Sequence, residues 1–415
     1  MTRSPGAPVL LAAGSVVSGV LAYVLFALVT RGLGATAAAP VSVLWTLWAV
    51  SGAAFTFPLQ HWITRCLAAG REGDVRRSAR RVATVVAVVA VAVGVLVWVL
   101  RGRLFGRDDA WFPVLVVLVV AGSAAVGVLR GGLAGRGRMA AVAWSLVAEN
   151  AVRCLLVAAL LVARVHDPVA HGLCLVAGSV VALWPSAWRF GGTGSGAATS
   201  RAGSLAFLGG AATGQLLAQG ALTGGAVLLA LLGGSPAEVT ALFATLALFR
   251  APYMVVLGTL PHVTHTVTGL VVAGEVATLR SLARRLAVLG SVTVALAAVL
   301  GWTIGPVLVR AVFGSTVEVG VGPAAVVATG CALALVNVVL MVGALAHDRP
   351  ARVAAAWGLA LVAGVVTLLA LAATAPLDRV VAAFLVVEVA ATVALAGVAS
   401  AVLRTGREAG RRAEA

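Results

Sequence analysis

Lysine is missing from the 415 residues, so all 30 basic side chains are arginine, and only 14 carboxylate side chains oppose them. An arginine-only basic set is a signature of GC-rich coding rather than of chemistry. Charged residues make up 11% of the chain, against about 25% in ordinary soluble domains. So little charge excludes water as the main solvent. Cysteine is also scarce: Cys66, Cys154, Cys174 and Cys331 lie far apart with no CxxC spacing. That excludes a disulfide frame or thiolate metal site and leaves them as small apolar residues. The six histidines form no metal-ligand helix motif. No phosphate loop, nucleophile–base pair or soluble catalytic domain is visible, so the sequence predicts neither an enzyme nor a cofactor. A net charge of +16 invites a polynucleotide partner. The arginines, however, are dispersed over short interhelical segments with no aromatic platform, which argues against nucleic acid.

What the chain does have is apolar length. Hydrophobic residues make up 61% of it, and the mean hydropathy is +1.08. Barrel strands would alternate apolar and polar residues; here runs of 18 or more apolar residues recur, the signature of membrane-spanning helices. The runs fall near 7–30, 41–64, 82–100, 111–129, 139–163, 171–188, 204–232, 238–260, 286–309, 322–346, 353–374 and 380–403. The expected fold is therefore all-α and integral to the membrane, with about twelve helices. Ala37-Ala38-Ala39 before Pro40 resembles a signal-peptide cleavage site, but the run from Ala7 to Thr30 exceeds a signal h-region, so it is kept as the first span.

With both termini placed in the cytoplasm, 21 arginines fall in cytoplasmic segments and seven outside, as the positive-inside rule expects. The chain also echoes itself. Gly70 to Arg81, after the second span, parallels Gly274 to Arg285, after the eighth, at an offset of 204 residues. Leu104-Phe105-Gly106 is matched by Val312-Phe313-Gly314. These echoes predict two parallel six-helix lobes, 1–188 and 204–403, joined by a flexible cytoplasmic linker over 189–203 and followed by a basic cytoplasmic tail, 404–415. Both basic segments are amphipathic and expected at the cytoplasmic interface.

The remaining chemical signal is charge within the spans, which costs roughly 2.5–3.5 kcal/mol per residue even on lenient scales. Arg250 lies mid-span, two residues before Pro252, where a fixed cation beside loosened carbonyls suits an anionic group. The competing reading is an arginine paired with a helix carboxylate. Glu149 and Arg153 stand four apart on one helix face, either a structural pair or a proton or sodium site whose arginine turns to substrate. Glu388 sits mid-span without a partner in its own helix, as a coupling-ion site or an interhelical hydrogen-bonding group. Gln215, Gln219 and Asn337 either line a cavity or bond between helices. Gly210, Gly214, Gly220 and Gly224 give small-xxx-small spacing for close packing or bending. Trp45 and Trp48 suit sugar stacking, or more commonly an interfacial aromatic belt.

Several stretches resemble the MOP superfamily, in particular its polysaccharide (Wzx-type) flippases. They are Thr30-Arg31-Gly32-Leu33-Gly34, the run from Leu129 to Arg138 followed by Glu149 and Arg153, Leu248-Phe249-Arg250-Ala251-Pro252 running on to Pro261 and Arg285, and Val309 to Ser315. The resemblance implies a MATE-like, V-shaped transporter of two lobes that takes a lipid-linked oligosaccharide laterally from the membrane. Its pyrophosphate would be held by cationic residues, Arg250 foremost and Arg31 or Arg153 second, with Gln215 and Gln219 as further substrate contacts. Glu149 and Glu388 would be the ion-coupling candidates, for H+ or Na+. Membrane lipids and polysaccharide assembly proteins are the implied partners, and the cell membrane the implied location. The multidrug branch often carries an acidic residue in the first helix, and residues 7–30 contain no Asp or Glu. Two other readings stay open. One is an ion-coupled small-molecule antiporter, MATE-like or of the major facilitator type, whose loop motif Gly70 to Arg77 is similar to but departs from at Val75. The other is a non-transporting scaffold.

Overall fold

A computed structural model describes residues 7–184, 216–254, 275–346 and 350–414, with isolated positions between 255 and 274, and no side chains after residue 399. The expectations for the 189–203 linker, Gln215, Gly210, Gly214, Pro261 and the side chains of the 404–415 tail lie outside the described residues. Every regular element among the described residues is helical. Eight helices are long and apolar enough to cross a membrane, with two shorter apolar ones at Pro168–Leu183 and Pro236–Phe249. Each of the twelve expected spans contains a described helical segment. The chain is a multi-pass membrane protein.

The first helix, α1 (Ala7–Ser51), is two spans in one. Gly34 breaks it with φ 74° and ψ 167°, a conformation that only glycine adopts without strain. Nineteen residues of unbroken helix would set Phe26 and Trp45 roughly 28 Å apart. Their ring centroids are 5.7 Å apart, so the chain doubles back at Gly34. The second leg runs through a π-helical turn, Gly52–Thr56, into α2 (Phe57–Ala68).

Two compact units follow from the packing. Unit 1 comprises Met1–Gln219, Ala226–Ala241 and Val312–Val317. It holds α1, α2, α3 (Glu72–Val99), the short α4 (Arg101–Phe105), α5 (Trp111–Gly135), α6 (Met139–Val162) and α7 (Pro168–Ala177). Here α6 lies along α1, and α5 along α2 and α3. A glycine ladder explains the α5–α2 fit: Gly127, Gly131 and Gly135 recur every fourth residue. Added methyl groups there would press on Thr56, on Gln60 and Ile63, and on Leu67, with the nearest approach at the first two sites 2.8 Å. Small residues at this spacing let membrane helices approach closely. At the start of α7, Pro168 takes the first turn and the Asp167 carboxylate accepts from the amides of Val169 (3.1 Å) and Ala170 (3.4 Å).

Unit 2 comprises Gly220–Gly225, Leu242–Ala311 and Glu318–Ala415. Its long helices are α10 (Val276–Thr303), α12 (Val321–Ala346), α13 (Pro350–Ala370) and α14 (Pro376–Glu414). Shorter helices α8 (Gly225–Leu231), α9 (Pro236–Phe249) and α11 (Gly305–Phe313) run across the unit boundaries. Among the long helices, α12 and α13 pack on α14, and α10 on α12. Gly224 places its amide 2.8 Å from the Gly220 carbonyl at a break in the helix, so this small-xxx-small pair serves bending.

The internal repeat reappears element by element. Helices α3 and α10 are each 28 residues long and start 204 residues apart, at Glu72 and Val276. The short helices after them start at Arg101 and Gly305, the same offset, and are closed by left-handed Gly106 and Gly314.

Candidate functional site

Among the described residues two buried polar clusters occur, one in each unit. In unit 1, Glu149 and Arg153 project from successive turns of α6, and the Arg153 Nη2 donates to Glu149 Oε1 at 2.7 Å. A second cation, not expected from the sequence, completes the site. Arg130 of α5 donates through Nη2 to Glu149 Oε2 at 2.5 Å and through Nε to the Ser145 hydroxyl at 3.2 Å. The expected span 111–129 ends just before Arg130, which counts it among the cytoplasmic arginines. In fact it is interior to α5 and 7% exposed. Its signal was the register of the α5–α6 hairpin. The turn at Gly137, whose φ is 72°, folds α6 back on α5 and brings Arg130 to Ser145 and Glu149.

Arg153 is fully buried, and its other donors are spent as well: Nε to the Leu175 carbonyl at 2.8 Å and Nη1 to Asn150 Oδ1 at 3.1 Å. Its guanidinium lies 4.5 Å from the Trp48 ring centroid, a cation–π contact. Asn150 continues the network to α1 by donating to the Ser18 carbonyl (3.1 Å) and hydroxyl (2.9 Å). Two guanidinium groups against one carboxylate leave a single excess positive charge in the interior of unit 1. Burial of ions at this depth is tolerable only with such complete hydrogen bonding. Trp45, 5% exposed, packs edge-on against both Phe26 and Trp48. The tryptophans therefore support the cluster and form no interfacial belt.

Arg31 is exposed and donates through Nε to the Val312 carbonyl at 3.3 Å, beside Thr30, whose hydroxyl donates to the Phe313 carbonyl at 2.6 Å. The pair caps the last carbonyls of α11. Gln219 is buried at the edge of unit 1.

In unit 2, Glu388 of α14 is fully buried against Asn337 of α12. The Asn337 amide donates to Glu388 Oε2 at 2.8 Å and to the Glu388 carbonyl at 3.0 Å; the Thr392 hydroxyl lies 2.8 Å from both Asn337 Oδ1 and that carbonyl. The other carboxyl oxygen, Oε1, has no hydrogen-bond partner among the described residues. Arg250 stands half-buried at a break after α9, with its amide still bonded to the Leu246 carbonyl at 3.0 Å. Tyr253 and Cys331 both feel the charges of Arg250 and Glu388, which places the four in one neighbourhood. Among the described residues no carboxylate pairs with Arg250.

No protein-family model matches the sequence, and no curated protein does. Solved structures do. An inward-facing multidrug resistance MATE family transporter of the MOP superfamily superposes with a TM-score of 0.66 at 14% identity, over 98% of this chain and 96% of its own. A MOP superfamily transporter from Pyrococcus furiosus gives 0.62 at 14% identity, over 98% of each chain. A Vibrio cholerae MATE transporter gives 0.54 at 13% identity, covering 96% of this chain and 95% of that one. Identities this low speak for the fold, and nearly the whole chain carries the MATE-type transporter fold.

Proposed function

We propose that this protein is a membrane transporter of the MOP type that carries a lipid-linked, polyprenyl-pyrophosphate oligosaccharide across the cell membrane by alternating access, with both termini cytoplasmic. The observation that carries this reading is the polarity of the interior charges. Residues 7–33, the first leg of α1, hold no carboxylate. Glu149 is consumed by two arginines, and Arg250 keeps a cation at a helix break with no carboxylate paired to it among the described residues. A cation fixed beside interrupted backbone suits a pyrophosphate. The Pyrococcus furiosus structure is a precedent within this fold for reverse polarity of the binding pocket suggesting a different function. Arg250 is the residue to bind the pyrophosphate. Native mass spectrometry of gently extracted protein tests this: a polyprenyl-pyrophosphate saccharide on wild type, lost in Arg250→Ala, supports it. Bulk phospholipid alone on both proteins overturns it.

One observation favours a second reading, an ion-coupled small-molecule antiporter. Glu388 keeps one carboxyl oxygen without a partner among the described residues, as a proton or sodium site requires. Drug efflux that depends on an ion gradient and disappears in Glu388→Gln would decide for that reading.

A further inference from the structure

Helices α3 and α10 carry the same surface twice, in the same register. Each opens on three exposed arginines spaced i, i+4, i+5: Arg76, Arg80 and Arg81 on α3, and Arg280, Arg284 and Arg285 on α10, every pair 204 residues apart. Among the described residues none of the six is in an ion pair. Below Arg81 the exposed side chains of Val85, Val88, Val95 and Val99 recur at helical spacing on one face. Below Arg285 the same face carries Leu289, Val292, Leu296 and Val299, all more than half exposed. Each stripe ends at an exposed tryptophan, Trp98 (45% exposed) and Trp302 (62%), again 204 apart. The inward faces are narrow and built on small contacts: Gly94 against Val117, Gly301 against Ala325 and Ala328.

The dimensions identify what covers these faces. From Arg81 to Trp98, and from Arg285 to Trp302, is 17 residues, or roughly 26 Å of helix. That is close to the hydrocarbon thickness of about 30 Å, so the arginines stand at one headgroup level and the tryptophan at the other. An apolar stripe of acyl-chain length under a cluster of three guanidinium groups is complementary to a lipid with a negatively charged phosphate headgroup.

We propose that the arginine triads of α3 and α10 are two separate binding sites for anionic phospholipids, whose phosphates sit on Arg76, Arg80 and Arg81 or on Arg280, Arg284 and Arg285 and whose acyl chains lie along the stripe beneath. The sites are independent of the transported substrate. Valines and leucines make up the stripe along which a chain can lie, while the guanidinium forks supply bidentate donors to phosphate oxygens.

The test uses the full chain in nanodiscs of equal phosphatidylglycerol and phosphatidylcholine. Lipid retained after gentle extraction is counted by native mass spectrometry. Wild type is expected to retain phosphatidylglycerol preferentially. Converting one triad to glutamine should remove about half of the retained phosphatidylglycerol and converting both should abolish the preference, each arginine lost weakening its own site roughly fivefold, with phosphatidylcholine retention unchanged. Arg→Lys triads should keep most of it. An unchanged lipid ratio in the glutamine variants overturns the proposal. A second measurement needs no charge variant. The Trp98 emission, isolated as the difference from Trp98→Phe, is compared in brominated phosphatidylglycerol and brominated phosphatidylcholine mixtures of the same overall composition. Stronger quenching by the anionic brominated lipid supports the site, and equal quenching refutes it.

Discussion

Gly178 abuts the guanidinium of Arg153 so closely that a methyl group at residue 178 would overlap Nε. A glycine at the junction of α7 and the following 3-10 turn is therefore what gives a buried cation its room.

Gly178→Ala is expected to push Arg153 off Glu149 and Leu175 and to destabilise unit 1 by about 2–4 kcal/mol, the cost of overpacking together with a strained buried ion. Thermal unfolding in detergent, with Gly19→Ala as the control, checks this. A methyl at Gly19 meets nothing within 4 Å, so its melting temperature should hold.

Glu149→Gln should be worse. It leaves Arg130 and Arg153 facing each other without an anion, at a cost of roughly 3–5 kcal/mol. Adding Arg130→Met to Glu149→Gln returns the cluster to a single excess charge and should recover part of the loss. A double-mutant cycle in unfolding experiments would show it; strictly additive losses would mean that Arg130 and Glu149 act separately.

Trp48→Leu removes the ring under Arg153 but keeps apolar bulk. The expected loss is about 1–2 kcal/mol, the range of a desolvated cation–π contact, and it should vanish in an Arg153→Met background. Equal losses in both backgrounds would reassign Trp48 to packing alone.

Glu388→Gln preserves an acceptor for the Asn337 amide, so folding should be unaffected, whereas Asn337→Leu strips the buried carboxyl of its donor and should lower stability by about 2 kcal/mol. Any dependence of transport on pH that survives Glu388→Gln removes Glu388 from ion coupling.

Much of this architecture was legible because membrane spans announce themselves by length. All twelve apolar runs carry helix, and the 204-residue echo between Gly70–Arg81 and Gly274–Arg285 extends to two 28-residue helices in register. Pairing across helices was less visible. Glu149 and Arg153 share one helix, so spacing alone brought them together. Arg130 belongs to the same cluster through packing of α5 on α6, and the apolar run 111–129 stops one residue short of it. Gly131 beside it belongs to the α5 ladder with Gly127 and Gly135 facing α2, so the helix continues past the apolar run. Asn337 and Glu388 are 51 residues apart, with a whole helix between them, and their bond follows only from packing. Gly34 falls between the expected spans 7–30 and 41–64, whereas helix persists on both sides of it.

The excess charge at Arg130, Glu149 and Arg153 would also couple unit 1 to a transmembrane electric field if the cluster moved along the bilayer normal. A unit charge carried through the full potential drop changes energy by about 2.3 kcal/mol per 100 mV. Any rearrangement that shifts α6 along the bilayer normal carries this cluster with it through part of that drop. The equilibrium between two such arrangements would then depend on the membrane potential as well as on any ligand.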